Sequence, residues 1–346
     1  MIPASTVLTA QFSAALVTMG VGIAYVISIK SLRVTRIIRW LAAAITVFFA
    51  ITVICGRIYV SRAASVSDAE IAANPSKAIT DLSQALRVDP ISSSTYFKRG
   101  IAYRKSDDPQ HAYSDLQKAV SLSPGNIEAR TEFAKAALDV GNLNEALTAL
   151  KRITEGDPTN FDALNEKGIV EILMGNNIAS IKDFEAALVV ADSDASRFIA
   201  HINIAKPLMY ERHFDDTITH LQAALKIRPN DPVGIGEMAA AYGKKGLHER
   251  ALELANRSLA IDPSLDISRL ARVAALFYLG KRNVAIKELS DLIRERPNDA
   301  ALRIERAQMY TEERQEELAH ADLSQVRLLM SAVPDIKTLK KGLLER

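Results

Sequence analysis

Two long apolar runs stand near the start of the chain. Residues 7–29 carry no formal charge over 23 positions, and residues 40–56 form a second run between Arg39 and Arg57. At ~1.5 Å per helical residue, the first run is long enough to span a ~30 Å hydrocarbon core. The second run is shorter, but its flanking arginines can extend to the interfaces. The pattern therefore predicts two transmembrane helices.

The segment between the two runs is short and basic. Residues 30–39 contain Lys30, Arg33, Arg36 and Arg39. So short a linker predicts an antiparallel hairpin, and the positive-inside rule places the linker in the cytoplasm. We expect a multi-pass protein of the bacterial inner membrane whose remaining chain is periplasmic. A cytoplasmic location is the alternative, since Arg57, Arg62 and Lys77 add positive charge beyond the second helix.

Prolines reveal an internal repeat in the rest of the chain. Intervals of 34 residues separate Pro90, Pro124 and Pro158, and again Pro229, Pro263 and Pro297. The interval from Pro158 to Pro229 is 71 residues, which is two periods plus three. A period of this length indicates stacked supersecondary units. We place the three extra residues within 193–197.

Small side chains recur in phase with the prolines. With the proline as position 32, position 8 holds Gly100, Ala134, Gly168, Ala205, Ala239, Val273 and Ala307. Position 20 holds Ala78, Ala112, Ala146, Ser180, Thr217, Ala251, Ala285 and Ala319. Two helices approach closely where small side chains meet, so each repeat is predicted to be a packed helix pair.

Residues with turn and cap preferences mark the helix ends. Position 15 is glycine at Gly141, Gly175, Gly246 and Gly280, which predicts left-handed C-caps. Predicted N-caps, two residues after the proline position, are Ser92, Asn126, Asn160, Asp231 and Asp299. Leu265 breaks the pattern, and Asp266 is the possible substitute.

This repeat resembles the tetratricopeptide-repeat (TPR) family over about residues 62–331. Its best copy reads Tyr96, Gly100, Tyr103, Ala112, Leu116, Ala119 and Pro124. The resemblance implies an α-solenoid of about seven to eight helical hairpins. The predicted fold class is all-α: a transmembrane hairpin in residues 1–62, a TPR array in 63–331 and a C-terminal capping helix in 332–346.

Composition and charge exclude several kinds of function. No Asp or Glu precedes Asp68, and the whole chain has a net charge of +2, without the clustered basic face that nucleic acids require. None of the six histidines lies four residues from another, and the chain has one cysteine, so no metal-ligand motif is present. No nucleophile–base constellation emerges either. We expect no enzyme, no cofactor, no nucleic-acid partner and no small-molecule substrate.

The TPR resemblance implies a concave groove lined by positions 5, 9, 12 and 13 of each first helix. The candidate protein-binding residues are Phe97, Ile101, Lys135, Asn165, Ile169, Ile202, Lys206, Tyr210 and Lys244. Further positions of the same kind are Leu270, Phe277 and Tyr278. Apolar anchors with scattered positive charge favour a protein or peptide segment that carries apolar residues and some acid.

Two functional hypotheses follow from this organisation. The first is a membrane-tethered interaction scaffold or assembly factor that contacts the bilayer through two helices. The alternative is a dedicated periplasmic substrate chaperone, similar in layout to apocytochrome-binding cytochrome-c-maturation factors. Those proteins carry a long loop between their membrane helices, whereas here only ten residues intervene.

Pro207 falls inside a predicted first helix, next to Lys206. A proline there removes a backbone hydrogen bond and bends the helix. It is either tolerated drift or a hinge between two parts of the array.

Overall fold

The computed structural model describes residues 32–331, whose regular structure consists of seventeen α-helices without a strand. The chain divides into two compact units, Met1–Ile153 and Thr154–Arg346. Each unit is a succession of antiparallel helix pairs in which a helix contacts its neighbours along the chain. The all-α repeat fold predicted from the 34-residue period is therefore confirmed.

The described part of unit 1, from residue 32 onward, contains two complete helix pairs and a half. Its helices are α1 (Leu32–Ser65), α2 (Asp68–Ala73), α3 (Pro75–Val88), α4 (Ser93–Lys105), α5 (Pro109–Leu122), α6 (Ile127–Asp139) and α7 (Leu143–Gly156), the last of which ends just beyond the unit. The complete pairs are α4–α5 and α6–α7. The first repeat lacks a full first helix. In its place, Ala63 near the end of α1 and Val66 just after that helix are buried with Leu82 of α3.

Up to residue 331, where the description of the chain ends, unit 2 contains five complete helix pairs. They are α8 (Phe161–Leu173) with α9 (Asn177–Val190), α10 (Asp194–Tyr210) with α11 (Phe214–Ile227), α12 (Pro232–Lys244) with α13 (His248–Ile261), α14 (Asp266–Tyr278) with α15 (Arg282–Glu295), and α16 (Ala300–Glu312) with α17 (Glu316–Ser331). One buried cluster joins α10 to α14 and includes Leu221, Ile235 and Ala255, all fully buried. Core residues thus connect successive pairs, as expected where no single pair can bury its own apolar faces.

The predicted helix ends are confirmed. The side chains of Ser92, Asn126, Asn160, Asp231 and Asp299 each accept a hydrogen bond from the first turn of the following helix. These bonds satisfy backbone amides that have no partner inside the helix. Leu265 makes no such bond, and the Asp266 carboxylate pairs with Arg296 instead of capping α14.

The end of each first helix adopts left-handed backbone geometry. The four glycines predicted there have φ between 78° and 85°. The same position in three other repeats is Asp107, Arg212 and Arg314, with φ of 59°, 63° and 58°. The turn is therefore constant along the array, although only glycine adopts it without a steric cost.

Glycine at position 8 sits where the two helices of a repeat touch. A Cβ added to Gly100 would lie 2.6 Å from Leu116 Cγ, and one added to Gly168 would lie 2.6 Å from Phe184 Cε1. Both distances are far below a carbon–carbon contact. The prediction that small residues permit close helix packing is confirmed at these two sites.

The three extra residues predicted within 193–197 lie at the start of one longer helix. Helix α10 has 17 residues, against 13 in the other first helices of unit 2, and begins with a capping box between Ser193 and Ser196. Pro207 is buried inside this helix, which continues to Tyr210. The boundary between the two units lies after Ile153, far from Pro207.

The predicted transmembrane hairpin is wrong. The second apolar run is part of α1, Leu32–Ser65, and most of the predicted ten-residue linker is helical. Arginine is a good helix former, so Arg33, Arg36 and Arg39 continue the helix instead of interrupting it. In residues 32–331, no helix combines the length and the apolar character needed to cross a membrane.

The predicted localisation is corrected with the hairpin. The absence of such a helix from residues 32–331 contradicts a multi-pass inner-membrane protein in which two membrane helices tether a periplasmic or cytoplasmic array. The other predicted membrane helix, 7–29, and the predicted capping helix, 332–346, lie outside the described residues.

Candidate functional site: a cleft lined by first helices of unit 2

The first helices of four successive repeats in unit 2 line one cleft of about 760 Å³. Lys206 comes from α10, Glu237 and Lys244 from α12, Leu270 from α14 and Glu305 from α16. Because the repeats are stacked in phase, equivalent faces of their first helices point to the same side. The size is within the range of concave sites that hold a ligand or a segment of a partner.

The cleft combines apolar surface with charge. Its apolar side chains include Val233, Leu270, Ala274, Phe277 and Met309. Its carboxylates are Glu237, Asp266, Glu305 and Glu312, and its lysines are Lys206 and Lys244. The surface is therefore richer in acid than in base.

Two of the four carboxylates have partners. Asp266 pairs with the guanidinium of Arg296. Glu312 accepts a hydrogen bond from Tyr278 Oη at 3.2 Å. Burial raises the pKa of Tyr278, and the nearby Glu312 charge adds to this effect, so the phenol stays protonated and donates.

The other two carboxylates, Glu237 and Glu305, differ from these. Neither forms a hydrogen bond or an ion pair with any residue in the described part of the chain, and neither is fully exposed. Burial raises the pKa of Glu237 to about 7; the charge of Lys206 opposes this shift and Asp231 adds to it. Burial also raises the pKa of Glu305, against the charge of Lys244.

An aromatic pair stands at one side of the cleft. The rings of His248 and Tyr278 stack with centroids 4.9 Å apart and planes at 20°. His248 Nδ1 is buried and meets no hydrogen-bond partner among residues 32–331. The pair offers a flat surface on which an apolar or cationic group can rest.

The structure brings two of the nine candidate residues into this cleft. Lys206 and Lys244 line it, together with the further candidates Leu270, Phe277 and Tyr278. Tyr210, at the end of α10, is 51% exposed but is not among the residues that line the cleft.

Three other candidates in unit 2 are engaged in contacts between helices. Ile169 packs against the cluster of Phe184, Ile204 and Leu208, and Ile202 packs against the main core cluster of the unit. Asn165 Oδ1 accepts a hydrogen bond from Asn203 Nδ2 at 2.6 Å. These side chains serve the stacking of repeats, and a binding role for them stays a prediction.

The candidates in unit 1 have similar surroundings. Ile101 packs against the buried cluster around Leu82, and Phe97 is partly buried on α4. Lys135 Nζ donates to Glu132 Oε1 at 3.0 Å, and Glu132 also accepts from Arg104. The positive charge of Lys135 is thus compensated within the unit.

Sequence reasoning missed Glu237 and Glu305 as cleft residues. They are 68 residues apart, which is two repeat periods, and both occupy position 6 of their repeats. The TPR resemblance implies that positions 5, 9, 12 and 13 face inward, and position 6 is not among them. Two carboxylates in the same phase of alternate repeats were the signal that could have revealed them.

Histidines meet in one place that the sequence pattern did not indicate. His201 Nδ1 on α10 and His220 Nδ1 on α11 are 3.0 Å apart, so one ring donates to the other. Burial lowers the pKa of both histidines. In residues 32–331, no group of three or more His, Cys, Asp or Glu side chains is arranged to hold a metal ion.

The fold and the cleft define a helical-repeat protein built from stacked helix pairs. The family model for the tetratricopeptide repeat matches residues 103–165. The chain is 24% identical over 190 residues to tetratricopeptide repeat protein 6 of Homo sapiens, covering 54% of this chain and 36% of that protein. The comparisons therefore support the prediction of tetratricopeptide repeats.

A receptor and a solved structure show further similarity. The chain is 24% identical over 222 residues to the peroxisomal targeting signal receptor of Saccharomyces cerevisiae, covering 61% of this chain and 35% of the receptor. A crystal structure of a tetratricopeptide repeat protein from Parabacteroides merdae has a similar fold, with a TM-score of 0.60 and 16% identity, covering 73% of this chain and 97% of that one.

The comparisons also concern the predictions about catalysis, a membrane anchor and a similarity to cytochrome-c-maturation factors. The chain spans about a third of the length of the two curated relatives. None of the three proteins is named for a catalytic activity. A membrane anchor and a similarity to cytochrome-c-maturation factors are not shown by the comparisons.

Proposed function

We propose that this protein is an interaction scaffold or assembly factor that binds a segment of a partner polypeptide in the cleft of unit 2. The observation that carries the proposal is the cleft itself, about 760 Å³ in volume and lined by four successive first helices. Apolar side chains supply contact area, while the charged side chains and Tyr278 orient the bound segment and select among possible segments.

The repeat fold suits this activity physically. Stacked helix pairs are held together by neighbour contacts alone, so they can present a long preformed surface without ordering it on binding. A preformed surface reduces the entropic cost of association. The similarity to a peroxisomal targeting signal receptor, a protein named for receiving a signal, is consistent with the binding of polypeptide segments.

A photo-crosslinking experiment tests the proposal. Gln308 is exposed and lines the cleft, whereas Gln222 is exposed on the second helix α11 and does not. A photoreactive amino acid at position 308 should crosslink a partner polypeptide, and the same group at position 222 should not. Ala274→Trp, which places bulk in the cleft, should abolish the product from position 308.

Equal yields from positions 308 and 222, or a product from position 308 that persists in Ala274→Trp protein with unchanged helicity, would show that partners contact another surface.

A further inference from the structure

We infer that the cleft of unit 2 selects a partner segment that carries lysine or arginine side chains, which Glu237 and Glu305 bind. This rests on the proposed function, because it names the chemistry of the segment bound in the same cleft. It reverses the expectation from sequence, which favoured a segment carrying some acid.

The charge balance of the cleft is the first observation. Four carboxylates line it against two lysines. Asp266 is neutralised by Arg296, and Glu312 is bonded to Tyr278. Glu237 and Glu305 are the carboxylates that remain for a ligand.

The second observation is the lack of a close partner for these two side chains. In residues 32–331, Glu237 and Glu305 form neither a hydrogen bond nor an ion pair, although both are partly buried. A carboxylate removed from water without a counter-charge is disfavoured in its charged form. The raised pKa of each is the consequence of that burial.

The lysines of the cleft act on the two carboxylates only from a distance. Lys206 stabilises the charged form of Glu237, and Lys244 stabilises that of Glu305, but burial outweighs both effects. Asp231 further disfavours the charge on Glu237. His248, Asp266 and Glu312 complete the titratable groups in the cleft besides Tyr278. An ammonium or guanidinium from a partner would supply the close hydrogen bonds that the protein does not.

The apolar lining fits the rest of such a side chain. Lysine and arginine have long aliphatic stems that cover apolar surface while their charged ends reach a polar group. Leu270, Ala274 and Met309 belong to α14 and α16, and Glu305 lies one turn before Met309. Glu237 and Glu305 occupy equivalent positions of α12 and α16, so they face the cleft from the same phase of the repeat.

The test is a binding screen with the full chain on an immobilised array of random 12-residue peptides. Wild-type protein should enrich peptides that contain Lys or Arg beside an apolar residue. Glu237→Gln/Glu305→Gln, which keeps size and removes both charges, should weaken binding to those peptides at least about tenfold, the loss expected for charge-assisted hydrogen bonds. Neutral apolar peptides should bind both proteins equally.

The matched control removes the same charge elsewhere. Glu253 and Glu317 are exposed on second helices and do not line the cleft, so Glu253→Gln/Glu317→Gln should leave the peptide profile unchanged. Circular dichroism and the thermal midpoint confirm that all three proteins are folded.

Each other outcome overturns a defined part of the inference. Peptide binding without enrichment of Lys or Arg, or with enrichment of Asp or Glu, overturns the basic-segment inference and leaves the proposed function standing. No binding to any peptide overturns both. If basic peptides bind only after truncation at Ser331, the occupant is the chain's own tail, which contains Lys337, Lys340 and Lys341, and a separate partner is overturned.

Discussion

Arg99 and Asp115 form a doubly bonded ion pair between the two helices of one repeat. Arg99 Nε lies 2.6 Å from Asp115 Oδ2, and Arg99 Nη2 lies 2.8 Å from Asp115 Oδ1. The third nitrogen, Nη1, donates to Ser83 Oγ on the preceding helix α3 at 3.0 Å. One guanidinium therefore joins α3, α4 and α5.

The same arrangement recurs in the last repeat. Arg306 bonds Asp322 at 2.8 and 2.7 Å and Ser290 at 2.8 Å, again with spacings of sixteen residues. Lys167–Asp183 and Arg272–Glu288 are simpler versions with the same spacing. The pairs connect the helices of a repeat at a fixed register.

Removal of Arg99 should destabilise unit 1 strongly. Asp115 is buried, and Arg99→Met would leave its carboxylate without a counter-charge, at a cost of about 3 kcal/mol. The double change Arg99→Met/Asp115→Leu should recover part of this loss, because the unpaired charge is gone. Urea unfolding of the three proteins measures the difference.

A surface pair provides the comparison. Arg294 and Asp291 also form an ion pair, but the Arg294 side chain is 78% exposed. Arg294→Ala should change stability by less than about 1 kcal/mol. Similar decreases in the free energy of unfolding for Arg99→Met and Arg294→Ala would show that the buried pair stabilises the protein no more than an exposed pair does.

Substitution of Gly100 should overpack its repeat. An added Cβ already meets Leu116 at 2.6 Å, so the longer side chain of Gly100→Leu forces α4 and α5 apart. We expect a loss of ~1–3 kcal/mol. Gly125 has nothing within 4 Å of its added Cβ, so Gly125→Ala should be close to neutral in the same unfolding experiment. Equal effects at the two glycines would contradict the assigned helix contact.

The left-handed turns predict a stabilising change. Arg212 has φ of 63°, the conformation that Gly246 adopts at the same position of the next repeat. Arg212→Gly should raise the free energy of unfolding by up to about 1 kcal/mol, because it relieves a conformation that is unfavourable for residues with a Cβ. Gly246→Ala should lower it by a similar amount. A destabilised Arg212→Gly protein would mean that contacts of the arginine outweigh its backbone cost.

Glu237 should make stability depend on pH. Its pKa rises from an ordinary 4.5 to about 7 in the folded chain, so between these values the folded state binds more protons than the unfolded state. Stability contributed by this group is therefore present below pH 4.5 and is lost as the pH rises to about 7. The side chain in Glu237→Gln cannot ionise. At pH 8 the free energy of unfolding of this variant should therefore exceed that of wild type by up to roughly 3 kcal/mol, with little difference at pH 4.5.

Urea midpoints at pH 4.5 and pH 8 measure this difference. Glu253→Gln, at an exposed position of α13, is the control, and its urea midpoint should equal that of wild type at both pH values. A Glu237→Gln protein that shows the same pH dependence as wild type would mean that the carboxylate is not desolvated.

Local and periodic features of this protein were determined by its sequence. The 34-residue period, the N-caps such as Asn126 and the C-cap glycines such as Gly141 depend on residues close together in the chain. The small residue at Gly100 is readable for the same reason, since its partner Leu116 belongs to the same repeat. Such features can be recognised without tertiary information because they recur at the same position of successive repeats.

Tertiary structure decided what depends on burial and on distant residues. Lys206 and Glu312 share a cleft although 106 positions separate them, and the degree of burial that shifts Glu237 is a property of the stacked helices. It also decided that Ile169 and Ile202 pack between helices, because an apolar side chain at an inward position serves stacking or binding equally well in sequence. The continuity of helix α1 was missed for a different, local reason: spaced arginines are compatible with both a loop and a helix, and here they continue the helix.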